Sequence, residues 1–164
     1  LSAQGFPVGT VTAYWRGRVL VAKDNLLYAS RPFAPHLADW RDFKQVGASI
    51  TAIQPVIDGV YVGTSKDLIF LSGNDWEQLT YVPTKRGPVV RGSGVEAPGH
   101  LIQLGDGVGN GQAMLCIAGG EVVAGFAGGQ TTSLTANRYR TDVKEVSATF
   151  RESNGISQYL AVPQ

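Results

Sequence analysis

The stretch Gly105-Asp106-Gly107-Val108-Gly109-Asn110-Gly111 has the residue types and spacing for chemistry. Glycine at alternate positions lets backbone N–H groups come close to a phosphate. A dinucleotide-binding fingerprint, however, needs a helix directly after its glycines, and a phosphate loop needs Gly-Lys-Ser/Thr. Here Gln112 opens a strand-like apolar run instead. Asp106 and Asn110 offer oxygens to calcium, but that cation asks for more carboxylates than the segment holds. The segment therefore reads as a sharply turned loop.

Other chemistry-bearing residues give the same result. Glycoside hydrolysis uses two placed carboxylates, and Asp42, Asp58, Asp67, Glu96 and Asp106 are the candidates. Most fall in expected turns, where acidic residues serve as solvated turn-formers. Cys116 is the sole cysteine and lies in the apolar run Met114 to Ala118. One thiol makes neither an internal disulfide nor a multi-thiolate metal site, so it reads as a small buried hydrophobe. His36 beside Pro35 and His100 beside Gly99 look like loop residues. Lys85-Arg86, Arg91, and Arg138 with Arg140 around Tyr139 are scattered cations with no basic stripe. No catalytic, cofactor-binding or metal-binding residue is assigned, and no cofactor is expected.

The elements that carry these residues repeat. Val19 to Ala22 and Leu26 to Ala29 flank the polar turn Lys23-Asp24-Asn25. Val60 to Gly63 and Leu68 to Leu71 flank Thr64 to Asp67, and Met114 to Ala118 and Val122 to Phe126 flank Gly119-Gly120-Glu121. A fourth pair, Val146 to Arg151 and Ile156 to Val162, surrounds Asn154-Gly155, a strong tight-hairpin signal. A further strand is expected before each of the first two hairpins, at Thr10 to Trp15 and at Ser49 to Val56. After each of these hairpins comes an Asp-Trp pair, Asp39-Trp40 and Asp75-Trp76, leading into an outer strand. An indole at that place can pack between adjacent sheets and bury a large apolar area. The third unit has no such Trp, and the stretch from Arg86 to Gly111 reads as an insertion or long loop.

These repeats predict an all-β fold, a propeller-like array of about three to four antiparallel blades, with a β-sandwich as the alternative. The approximate units are 10–47, 48–84, 86–140 and 141–164. The 21 glycines suit many tight turns, and the hydrophobic content of 43% suffices for a core. A net charge of +1 gives no global attraction to nucleic acid, and no apolar stretch approaches the ~20 residues that span a bilayer. Propellers close with about four to eight blades. An incomplete array is therefore expected, completed by a missing segment or by copies of the chain.

Two resemblances bear on this reading. Ser72-Gly73-Asn74-Asp75-Trp76 faintly resembles the Asp-box turns of sialidase-like propellers, which are structural there and away from the active site. More broadly, Trp15 to Ala22, Ile53 to Gly73, Gly125 to Thr131, Leu134-Thr135, Arg138-Tyr139 and Gln158 to Val162 are similar to phrases in virion-associated proteins of tailed phages and prophages. The likeness is one of texture across nearly the whole chain and resembles the C-terminal part of a longer protein. It implies a non-enzymatic structural or assembly role in the virion, tail-associated, with passage through the host cytoplasm during assembly. Other virion or tail subunits are the implied partners, with a homo-oligomer as a further arrangement; no membrane is expected, and nucleic acid is disfavoured. The stretch Pro83 to Gly99 is expected to be an exposed loop for partner contact. A carbohydrate- or receptor-binding adhesin using Tyr81 or Trp40 is the alternative, and a polysaccharide-degrading enzyme ranks last.

Overall fold

Two-residue turns set the register of the fold. Trp15 pairs with Arg18 across Arg16-Gly17, whose φ values of 48° and 79° are both positive. Ala118 pairs with Glu121 across Gly119-Gly120, at φ 62° and 81°. Positive φ at both central residues gives a turn whose twist matches that of the flanking strands. In the computed structural model, residues 9, 11–104, 107–108, 111–135, 143, 145–153 and 156–164 are described; the side chains of Trp40 and of residues 103–104, 107–108, 153 and 156–157 are not.

The protein is all-β, and the helical elements among the described residues are three short 3-10 turns. Sheet 1 is an antiparallel meander of β1 (Val11–Trp15), β2 (Arg18–Lys23), β3 (Leu26–Arg31) and β4 (Ala34–Gln45). Sheet 2 repeats it with β5 (Ile50–Val56), β6 (Gly59–Thr64), β7 (Leu68–Ser72) and β8 (Thr80–Arg86). Sheet 3 contains β9 (Val95–Pro98), then β12 (Gln112–Ala118), β13 (Glu121–Gly125) and β14 (Thr131–Ser133). Between β9 and β12 stands a small hairpin of β10 (Gln103–Leu104) and β11 (Gly107–Val108). A final two-stranded sheet joins β15 (Val146–Ser153) to β16 (Ile156–Pro163), paired through to Ser153 and Ile156. Asn154-Gly155, the expected turn between them, lies outside the described residues.

Strand alternation explains how the sheets stack. All six residues of β6 are buried. Because successive side chains point to opposite faces, Val60 and Val62 join a cluster with Trp15, Leu20, Leu27 and Trp76, whereas Tyr61 joins Phe70, Met114 and Cys116. Sheet 2 is thus covered on one face by sheet 1 and on the other by sheet 3. Sheet 3 alternates in the same way. Met114 and Cys116 face the second cluster, while Ala113 and Leu115 form a third cluster against which Phe150 and Tyr159 of the last hairpin pack. Sheets 1 and 2 approach along β1 and β5, sheets 2 and 3 through β5 and β12, and sheet 3 and the last hairpin along β9 and β15.

Trp76 is a principal tie between sheets 1 and 2. It sits in a 3-10 turn after β7, capped by Asp75, and is 1% exposed. Its Nε1 donates to Asp42 Oδ1 of β4 at 3.0 Å, and the Lys44 ammonium lies 5.2 Å from its ring centroid. Arg16, in the β1–β2 turn, adds a second clamp by donating to the Ile57 carbonyl and to Asn74 Oδ1.

Three expectations are corrected. The two Asp-Trp pairs are not equivalent: Asp39-Trp40 lies inside β4, in an irregular stretch between the Ser30–Ala38 and Tyr28–Phe43 pairings, rather than in a turn before the strand. Pro83 to Gly99 is not an exposed loop. Pro83 to Arg86 belong to β8, Val95 to Pro98 form β9, and between them Val89 and Ser93 are buried. The stretch from Arg86 to Gly111 likewise holds the first strand of sheet 3, so it is not merely an insertion.

Candidate functional site

The first strands of the three sheets line an open groove of about 1020 Å³. β1 contributes Thr12 and Tyr14, β5 contributes Gln54 and Pro55, and β9 contributes Glu96 and Pro98. Ile57, His100 and Gln112 complete the wall. Alternation again sets the geometry. In β1 the side chains of Val11, Ala13 and Trp15 go to the core, which leaves Thr12 and Tyr14 on the opposite, exposed side. Tyr14 and Ile57 are each 65% exposed, a large apolar presentation for two residues in one groove. A smaller groove continues from it past Thr51 to Arg91 and Glu145, sharing Thr12, Ile53 and Gln54. Among the described residues, the side chains of Gln54, Glu96 and Gln112 make no hydrogen bond, so their polar atoms are available to a ligand.

The other carboxylates weighed from sequence are held by the fold. Asp42 accepts from Trp76. Asp58 Oδ2 accepts from the Gly128 N–H at 2.8 Å. Asp67 Oδ1 lies 2.6 Å from Thr64 Oγ1, which also accepts from the N–H groups of Lys66 and Asp67 and so closes the β6–β7 turn. Asp106 and Asn110 lie outside the described residues, and among the described residues no group of three or more His, Cys, Asp or Glu is placed to hold a metal ion.

Cys116 is fully buried, and burial pushes its thiol up to about 12, against the smaller opposing effect of the Arg86 guanidinium. A thiol so far from its thiolate is a poor nucleophile. Burial also raises the phenols of Tyr61 and Tyr159 above their usual range. Both hydroxyls are satisfied: Tyr61 donates to the Phe126 carbonyl and Tyr159 to the Ser93 carbonyl. Asp75 is held below its ordinary range by its interaction with the Glu77 side chain and by the hydrogen bond that it accepts from the Glu77 N–H. His100 lines the groove, while His36 lies within β4 and not in a loop. Of the aromatics considered for sugar contact, Tyr81 is 45% exposed on β8, at the sheet edge opposite β5.

Sequence reasoning missed the groove. Tyr14, Gln54, Glu96 and Gln112 belong to three different sheets, and no local spacing joins them. The available signal was the repeat itself, which puts the first strand of each unit in an equivalent place. Comparison with protein-family models and with curated proteins finds no match to this chain.

Proposed function

We propose that this chain is a non-enzymatic structural module of a tailed-phage or prophage virion, tail-associated, and that its sheets form a propeller-like array. The observation that carries the architectural part is the succession of antiparallel sheets, each stacked on the next. A sandwich buries one face of each sheet against a single opposite sheet, whereas sheet 2 is buried on both faces. Shape is then the mechanism. A rigid array presents its outer surfaces to neighbouring subunits, and the last hairpin exposes Leu160 and Val162 at 40% and 61%. The virion assignment draws on the likeness of the phrases Trp15 to Ala22, Ile53 to Gly73 and Gln158 to Val162 to those of virion-associated proteins. Other virion or tail subunits are the partners in this reading, and copies of the chain complete the array.

Immunogold labelling tests the assignment. An antibody against the chain, applied to purified particles from an induced host that encodes it, is expected to label the tail. Unlabelled particles with the protein left in the lysate would overturn the reading. Light scattering of the purified chain tests self-completion: a defined oligomer of the 17.4 kDa chain is expected, and a monomer removes self-association.

A further inference from the structure

We infer that the groove along β1, β5 and β9 binds a neutral oligosaccharide, independently of the virion reading. Its lining combines the two kinds of surface that a sugar presents. A pyranose ring has apolar C–H faces, and Tyr14 offers a rigid, largely exposed ring that still carries a polar tip. Around its rim a sugar carries hydroxyls that both donate and accept. Gln54 and Gln112 provide amides with both capacities, Thr12 provides a hydroxyl, and Glu96 provides an acceptor. Among the described residues the three groups Gln54, Glu96 and Gln112 have no partner, unlike Asp42, Asp58 and Asp67.

Charge selects among ligands. Among the described lining residues, Glu96 in the groove and Glu145 in its continuation are offset by one arginine, Arg91. A nucleic acid or another polyanion meets too few cations there. The volume is at the upper end of small-ligand sites, and the continuation past Gln54 extends it lengthwise, which suits a chain of sugars better than a single one. A peptide strand is the competing occupant. It is disfavoured because the free side-chain groups are matched to hydroxyls, while the exposed Tyr14 supplies a flat platform and not a closed pocket for a side chain.

A glycan array containing neutral and acidic oligosaccharides, probed with the intact chain, is the test. The best ligand is then titrated calorimetrically against the wild type and against Tyr14→Ala, Gln54→Ala and Tyr81→Ala. Neutral oligosaccharides are expected to bind. Tyr14→Ala and Gln54→Ala should each weaken binding by about tenfold or more, with little change in thermal midpoint because Tyr14 is exposed and the half-buried Gln54 side chain has no hydrogen-bond partner among the described residues. Tyr81→Ala, on the opposite edge of sheet 2, should bind as wild type. The inference is overturned if the array shows no neutral ligand, if the two groove variants bind normally, or if Tyr81→Ala abolishes binding.

Discussion

Tyr61 joins sheet 2 to sheet 3 through both its ring and its hydroxyl. The ring packs 4.7 Å from that of Phe70 by centroid, and the hydroxyl donates to the Phe126 carbonyl at 2.5 Å and to that of Gln130 at 3.2 Å. Gly125 permits this approach, since a Cβ there would stand 2.7 Å from the Tyr61 ring. Tyr61→Phe keeps the ring and leaves a carbonyl short of its donor, so it should destabilise the fold by about 1–2 kcal/mol. Urea unfolding reads this as a lower midpoint at unchanged slope; an unaltered midpoint would show that the phenol contributes nothing. At this scale the sequence was informative about type and silent about partner. Asp58 and Asp67 are the turn residues they were expected to be, and Cys116 is the buried hydrophobe. Nothing local announced that Asp42 would be the acceptor for an indole in the next sheet.

Among the elements, the 3-10 turn around Trp76 tests how sheet 1 and sheet 2 are held. Trp76→Ala removes a large buried side chain from their shared cluster and should cost about 3–5 kcal/mol. Asp42→Ala leaves the indole in place and its N–H unpaired, which should cost about 1–2 kcal/mol. The ranking is checked by denaturation of both variants, and equal losses would mean that the hydrogen bond, not the burial, dominates. The hairpins β2–β3, β6–β7 and β12–β13 were legible because each joins two apolar runs through a short turn of polar or glycine residues. β9 was not, because four residues ending in Pro98 carry little strand signal of their own and depend on pairing with β12. Glycine-rich surroundings disguised it as loop. The groove was hidden for a related reason. Its walls come from strands that are neighbours in space but lie whole repeats apart in the chain.

For the molecule as a whole, stacking sheets face to face buries acidic groups in their neutral forms, and this gives stability a pH dependence of definite sign. The Cys116 thiol rises from 9.0 to about 12, and the Tyr61 and Tyr159 phenols rise above 10.0, each chiefly through burial. All are neutral in both folded and unfolded chains at neutral pH, so their effect is absent there. Above pH 9 the unfolded chain ionises its thiol while the folded chain holds the proton. The unfolded state then binds fewer protons, and stability falls with rising pH. The phenols add to the loss above pH 10. Each group contributes at most about 1.4 kcal/mol per pH unit. Urea midpoints taken at pH 7.5, 9, 10 and 11 should therefore be flat at first and then decline with increasing steepness. Cys116→Ala should flatten the decline between pH 9 and 10 while leaving the steeper part, whatever it does to the baseline at pH 7.5. A midpoint that holds to pH 11 in the wild type would mean that these side chains are reached by solvent, and that the stacked interior does not close around them.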